Sequence, residues 1–242
     1  RLESAARAAR CEVVTGRVLG AADVLSLFRF LGTKADVIQV DPGREWWPAV
    51  LAAKLTGRKS VIVRHQMESI RPVTARWLVP LASAVVAAAG AVKDALTRCG
   101  VPADRIRVIP GGVDTESFRP GAGGASWRLS QGVPVGAPTI GIVGRVSAVG
   151  GKGHDDFLDA AAKILLRVPA ARFFVVGMKT PEEAGLDARV AALRLEGRVT
   201  FTGFLHDLPP VYDGLDVVVM ASRTGEAIPL VLQEAQACGK PV

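Results

Sequence analysis

The chain alternates between short runs rich in Val, Ile and Ala and longer stretches whose apolar positions recur at helical spacing. Strands are predicted near Glu12–Thr15, at Asp36–Val40, at Ser60–Arg64, near Ala84–Ala88 and at Ile106–Ile109. Helices are predicted between them, near Ala21–Leu31, at Trp46–Leu55, near Val73–Leu81 and at Val92–Arg98. The rhythm resumes later with strands at Thr139–Val143, Arg172–Val176, Arg198–Phe201 and Leu215–Met220. The intervening helices are Asp155–Leu166, Pro181–Leu195 and one near Leu208–Asp213, and a last helix follows Pro229. Alternation of this kind gives parallel sheets covered by helices on both faces.

One segment interrupts the pattern. Between Pro110 and Pro138 no apolar period is sustained, and seven glycines and prolines crowd Pro110–Gly124. It reads as a connection, which divides the chain into a domain over 1–117, a linker over 118–137 and a domain over 138–242. Each domain repeats the βα pattern of a Rossmann-like fold, and no fixed-period self-similarity marks a solenoid.

Composition narrows the class. Of 242 residues 49% are apolar and 5% aromatic, so the core rests on Val, Leu, Ile and Ala. Residues 1–120 carry 18 Lys and Arg against 11 Asp and Glu, while residues 121–242 carry 12 of each. A basic first half beside a neutral second half fits an anionic surface or acceptor, or equally a scatter of solvated arginines. Cys11, Cys99 and Cys238 form no CxxC pair, and a reduced, cytosolic setting fits them. The longest apolar stretch, Trp77–Val92, is broken by Pro80, Ser83 and Gly90 and is no membrane span. Three scattered histidines give no metal site, and nothing in the chain points to nucleic acid.

Two stretches carry chemistry. The first is S-R-T-G-E-A-I-P-L-V-L-Q-E-A-Q-A-C-G-K-P, Ser222–Pro241, which follows a strand and enters a helix with Pro229 at its first position. Glu226 stands just ahead of that helix and Glu234 about two turns along it. A helix start at the carboxyl end of a parallel strand offers free N–H groups and positive dipole to an anion such as a diphosphate. The second is G-I-V-G-R-V-S-A-V-G-G-K-G-H-D-D-F, residues 141–157, in which Arg145 leaves a strand and Lys152 precedes a helix. Paired fixed cations suit negative charge developing on a leaving phosphate. A Walker A loop is excluded, because Val146 and Gly153 stand where its glycine and its hydroxyl must be. Structural alternatives stay open: Glu226 as a helix cap, Glu234, Arg145 and Lys152 in ordinary ion pairs.

Glu226 and Glu234, with A-Q-A-C-G-K-P-V following, resemble the E-x7-E signature of retaining family 4 glycosyltransferases of GT-B architecture. G-R-V…K-G and V-I-P-G-G-V-D-T-E-S-F-R-P are similar to that family's phosphate loop and interdomain joint, though Arg145 and Lys152 stand farther apart than usual and Gly111 replaces an Asn. The resemblance implies two Rossmann-like domains in a GT-B arrangement and a nucleotide-sugar donor, UDP- or GDP-linked, with no metal or other cofactor. It places Glu226 near the sugar, Glu234 on the ribose, and Arg145 and Lys152 on the diphosphate. Further donor contacts are implied at Gly144, Gly203, Phe204, Ala227, Ile228, Pro229 and Leu230. His65, ending a strand in K-S-V-I-V-R-H-Q-M, matches the family's first-domain histidine near the transferred sugar; a satisfied loop histidine is the alternative.

The activity so implied is sugar transfer with retention to a lipid-linked or saccharide acceptor of a bacterial cell envelope. Arg44-Glu45-Trp46-Trp47 and Arg71, Arg76 and Trp77 combine cations with indoles, which suits peripheral membrane contact at the inner face or else buried packing. A full family member has further elements before residue 1 and after Val242, so a truncated chain is expected. The rival reading is a nucleotide-sugar binding fragment without turnover; an epimerase lacks the grouped acid and base residues it needs.

Overall fold

The computed structural model describes residues 35–41, 43, 45–146, 151–178, 185–223 and 226–242. The elements predicted near 12–15 and 21–31, Arg44 and the residues 147–150 lie outside the described residues. The chain divides into two compact units, one reaching to Pro110 and one from Gly111 to Val242.

In the first unit, β1 (Val37–Val40), β2 (Lys59–Arg64), β3 (Ala84–Ala87) and β4 (Ile106–Val108) lie side by side in that order, all parallel. Helices α1 (Trp46–Leu55) and α2 (Gly90–Arg98) make the crossovers after β1 and β3. The predicted helix near 73–81 is instead a π-turn, Thr74–Leu78, running into a 3₁₀ turn, Val79–Leu81, where Pro80 withholds an N–H. Ile62, Leu78, Val85 and Val92 are almost fully enclosed and form the centre of this unit.

The second unit begins with α3 (Gly124–Ser130), inside the stretch expected as a linker. Three side chains, of Asp213, Trp127 and Arg128, bind that stretch to the unit. Asp213 accepts from the N–H groups of Gly121 at 3.0 Å and Gly124 at 2.7 Å. Trp127 packs on Phe174 with ring centroids 4.8 Å apart. Arg128 donates to Ala137 O, Thr139 Oγ1, Gly214 O and Asp216 Oδ2. Glycine and proline there shape turns rather than a free connection.

Strands β5 (Thr139–Val143), β6 (Arg172–Val176), β7 (Val199–Gly203) and β8 (Val217–Val219) form a parallel sheet in the order β7-β6-β5-β8. The helices are α4 (His154–Leu165), α5 (Gly185–Ala192), α6 (Pro209–Gly214) and α7 (Leu230–Ala237). Alternate strand residues feed two cores. Ile140, Ile142, Phe173 and Val175 pack with Phe157, Leu158, Leu186 and Val190 of α4 and α5. Phe174, Val176 and Val218 pack with Trp127, Val211, Tyr212 and Ala235 of α3, α6 and α7. This double burial is why the strands read as continuous apolar runs rather than as an alternation.

The order matters for function. The chain builds outward from β5 to β6 to β7, then returns to place β8 on the other side of β5. Connections diverge between β5 and β8, and at such a switch point the loops leaving the two strands part and open a crevice at their carboxyl ends. Those two loops contain the two sequence motifs.

Candidate functional site

The loop after β5 and the loop after β8 are tied together. Ser222 Oγ and the Arg223 N–H both donate to Gly151 O, at 2.9 and 3.1 Å. The Arg223 guanidinium meets Asp156 in a fork, Nε to Oδ2 at 2.7 Å and Nη2 to Oδ1 at 2.5 Å. Hydrogen bonding from Arg223 holds the Asp156 carboxyl below its ordinary range, and the same contact raises Arg223. Gly153, the residue before α4, has φ +71° and lies so close to Ala221 O that a Cβ would overlap it. Only glycine accommodates both the backbone and that approach.

Between these ties, Lys152 Nζ and Glu226 Oε1 form an ion pair. The residues predicted from separate motifs, 74 positions apart, thus meet across the switch point. Both side chains are largely enclosed, at 37% and 23% exposure, so the pair is partly desolvated. Among the described residues no side chain caps α7, Glu226 included; Pro229, with φ −77° and ψ 99°, is the Ncap residue, so the helix begins at Leu230, one residue later than predicted. The uncapped start of α7 thus follows four residues after Glu226, leaving its first N–H groups for an anion.

Glu234 faces elsewhere, with Oε2 accepting from Tyr212 Oη at 2.6 Å. Burial, reinforced by that carboxylate, pushes the Tyr212 phenol above its ordinary value. The phenol therefore stays protonated and remains a donor that fixes the Glu234 rotamer. Phe118, from the joint segment, meets the Tyr212 ring edge-on at 5.8 Å.

Arg145 is exposed, and among the described residues no carboxylate pairs with it. It lines a pocket of about 290 Å³ with Val143, Gly144, Val176, Gly177, Met178, Phe204, Leu205 and Leu208, at the carboxyl ends of β5, β6 and β7. The walls are almost wholly apolar and Phe204 offers a half-exposed ring, a setting for a flat aromatic group. Gly177 closes the floor: its N–H donates to Gly203 O at 3.1 Å, and a Cβ on it would overlap Gly144 O. Lys179, beyond Met178, lies outside the described residues, as do Thr224 and Gly225 before Glu226. Ala227 and Ile228 are half-buried between Glu226 and the start of α7, and Leu230 is exposed.

In the first unit, His65 leaves β2 and its Nε2 lies 3.1 Å from Asp41 Oδ1, beyond the end of the adjacent β1. A carboxylate only accepts, so Nε2 carries the proton and a neutral ring keeps Nδ1 as an acceptor. Arg64, buried beside Trp46, donates to Gln66 O and Glu68 O, each at 3.1 Å, and so shapes the turn that presents His65.

Four participants escaped the motif reading. Arg223 lay inside the quoted string without a partner to reveal it. Tyr212 is the chain's single tyrosine, just ahead of the last strand, and Asp156 sits in the first turn of α4, where an acidic residue is ordinary. Asp41 ends the V-I-Q-V-D run at a strand terminus, where a polar residue is a signal.

Residues 13–117 match the family described as Glycosyltransferase Family 4, and residues 137–242 match that described as Glycosyl transferases group 1. Each half of the chain thus matches a glycosyltransferase family model. Curated relatives include the D-inositol 3-phosphate glycosyltransferases of Nocardia farcinica, 34% identical over 151 residues, and Geodermatophilus obscurus, 37% identical over 155. Each match takes in 59% of this chain and 33% of the relative, so the chain spans about a third of the relatives it matches. Among solved structures, Anabaena HepE in complex with UDP gives a TM-score of 0.85 at 26% identity, covering 99% of this chain and 69% of that one. A glycosyltransferase from Rickettsia africae, at TM-score 0.87 and 20% identity, covers 99% of this chain and 67% of its own, and shares the fold. The chain therefore shares the α/β, GT-B class of fold with these neighbours, with parallel sheets covered on both faces.

Proposed function

We propose that this protein transfers a sugar from a nucleoside diphosphate donor to an acceptor hydroxyl with retention of configuration, and that its second unit holds the donor. The observation that carries the reading is the Lys152–Glu226 contact at the β5/β8 switch point, beside the open start of α7. In this reading the base enters the apolar pocket against Phe204, with Gly144 and Gly203 at its margin. The diphosphate lies over the N–H groups that follow Pro229 and draws Lys152 away from Glu226. Glu226, released, accepts from sugar hydroxyls, while Glu234, held by Tyr212, takes the ribose.

The chemistry follows from charge. When the bond from the anomeric carbon to the phosphate oxygen breaks, the electron pair stays on that oxygen, and Lys152 and Arg145 stabilise it in place of a metal ion. Carbohydrate hydroxyls favour acceptance by a carboxylate, which Glu226 supplies without being consumed. His65 is assigned to the first-domain side of the reaction, with Nδ1 free to accept from a hydroxyl. UDP-glucose is the favoured donor class, since a solved structure of the HepE neighbour, 25% identical, contains it. A saccharide or lipid-linked hydroxyl of the cell envelope is the favoured acceptor.

Donor binding and donor hydrolysis, measured side by side for UDP-, GDP- and ADP-sugars, test this. Binding with slow hydrolysis, both lost in Lys152→Ala, is expected. Binding with no hydrolysis or transfer under any condition favours the binding fragment instead. Failure to bind any nucleotide sugar overturns both readings.

A further inference from the structure

The turns over 73–82 in the first unit are apolar on both sides. Thr74, Ala75, Leu78, Val79 and Ala82 are buried against the unit. The opposite side is exposed and equally apolar: Val73 at 52%, Trp77 at 63% and Leu81 at 37% recur at every fourth position. Trp47 extends the strip, 36% exposed, with its indole N–H donating to Thr74 Oγ1 at 3.2 Å. A segment facing only water would carry polar residues there, and contiguous exposed apolar side chains of this size mark a contact surface.

Charge identifies the occupant. Arg71 stands exposed at the head of the strip. Arg76 lies 5.7 Å from the Trp77 ring centroid. Arg105 donates to Pro80 O at 3.2 Å and Ala82 O at 2.9 Å, which sets a third guanidinium at the far end. Between Ser69 and Lys93 the sequence has no Asp or Glu. A second copy of the chain would bring these arginines against one another. An anionic headgroup layer instead pairs with the cations while indole and aliphatic groups enter the boundary beneath it.

We propose that Val73, Trp77 and Leu81, with Trp47, form a docking surface for a bilayer containing anionic lipid, on which this protein lies without crossing. No helix among the described residues is long and apolar enough to span a membrane. The surface shares no residue with the proposed donor site, and its test does not involve sugar transfer.

Co-sedimentation of the 242-residue chain with phosphatidylcholine vesicles, with and without phosphatidylglycerol, provides the test. The protein is expected to pellet with the anionic vesicles only. Trp77→Ser should weaken partitioning roughly tenfold through lost apolar contact. Arg71→Gln and Arg76→Gln should each weaken it about fivefold and flatten its salt dependence. Circular dichroism should show all three variants folded, since each residue is exposed. No pelleting of the wild type, or pelleting that Trp77→Ser leaves unchanged, overturns the proposal. So does a dimer in vesicle-free solution that Trp77→Ser abolishes, which would make the strip a contact between copies.

Discussion

Replacing Tyr212 by Phe isolates one hydrogen bond at the centre of the proposed donor site. The phenol donates to Glu234 Oε2 at 2.6 Å from a fully enclosed position. A hydrogen bond to a charged acceptor contributes roughly 1.5–3 kcal/mol net. Glu234 is half-buried, so water can replace the lost donor in part, which places the effect near the lower end, about 1.5 kcal/mol. The phenyl ring keeps its packing on Phe118 and in the core, so no cavity term is added. Thermal unfolding should therefore shift down by about 3–6 °C. In the proposed function the loosened Glu234 binds ribose less well, so KM for the donor should rise roughly three- to tenfold while kcat changes little. A double-mutant cycle with Glu234→Gln assays the coupling directly, because the second substitution should cost little once the first is made. Unchanged stability in Tyr212→Phe, or equal losses in wild-type and Glu234→Gln backgrounds, would refute the reasoning.

Other expectations rest on separate contacts. Gly153→Ala must give up a left-handed backbone and displace Ala221, a cost of roughly 2–4 kcal/mol, and should weaken UDP binding because the Lys152 loop moves; urea unfolding and a UDP titration check it. For Asp216, burial works to raise the carboxyl, but hydrogen bonds from the Thr139 N–H, Arg128 and the Thr139 hydroxyl outweigh it and hold the group below its ordinary value of 3.8. Its stabilisation is thus complete above pH 3.8 and is lost as pH falls through the lowered value, so the stability gap between wild type and Asp216→Asn should be constant near neutrality and narrow in acid. Lys152→Ala should cut donor hydrolysis by roughly 10²–10³-fold, as loss of a charge-stabilising donor does elsewhere, with the Arg223–Asp156 tie keeping the loop in place.

Much of the architecture is legible in the sequence because a sheet buried on both faces leaves unbroken apolar runs. Trp46–Leu55, Thr139–Val143 and Arg172–Val176 are predicted with the observed bounds. Segments whose structure depends on tertiary partners are harder to read. The helix α3 is short and glycine-flanked, and it is fixed by Asp213, far along the chain. The turns over 74–81 have helical composition, yet they divide into a wide π-turn and, at Pro80, a tight 3₁₀ turn set by the buried neighbours. In the site, Lys152 and Glu226 are found as motif residues, but their contact with each other follows from strand order, which the sequence does not spell out. Tyr212 and Arg223 act through single side-chain contacts with no local spacing to announce them.

In the proposed function Lys152 exchanges Glu226 for a diphosphate while Glu226 turns to the sugar. Isothermal titration of UDP and UDP-glucose into the wild type, Lys152→Met and Glu226→Gln measures that exchange. The expected result is that Lys152→Met loses affinity for both ligands, whereas Glu226→Gln keeps UDP and loses only the added affinity of the glucose. If both variants bind both ligands as the wild type does, the donor does not occupy this crevice.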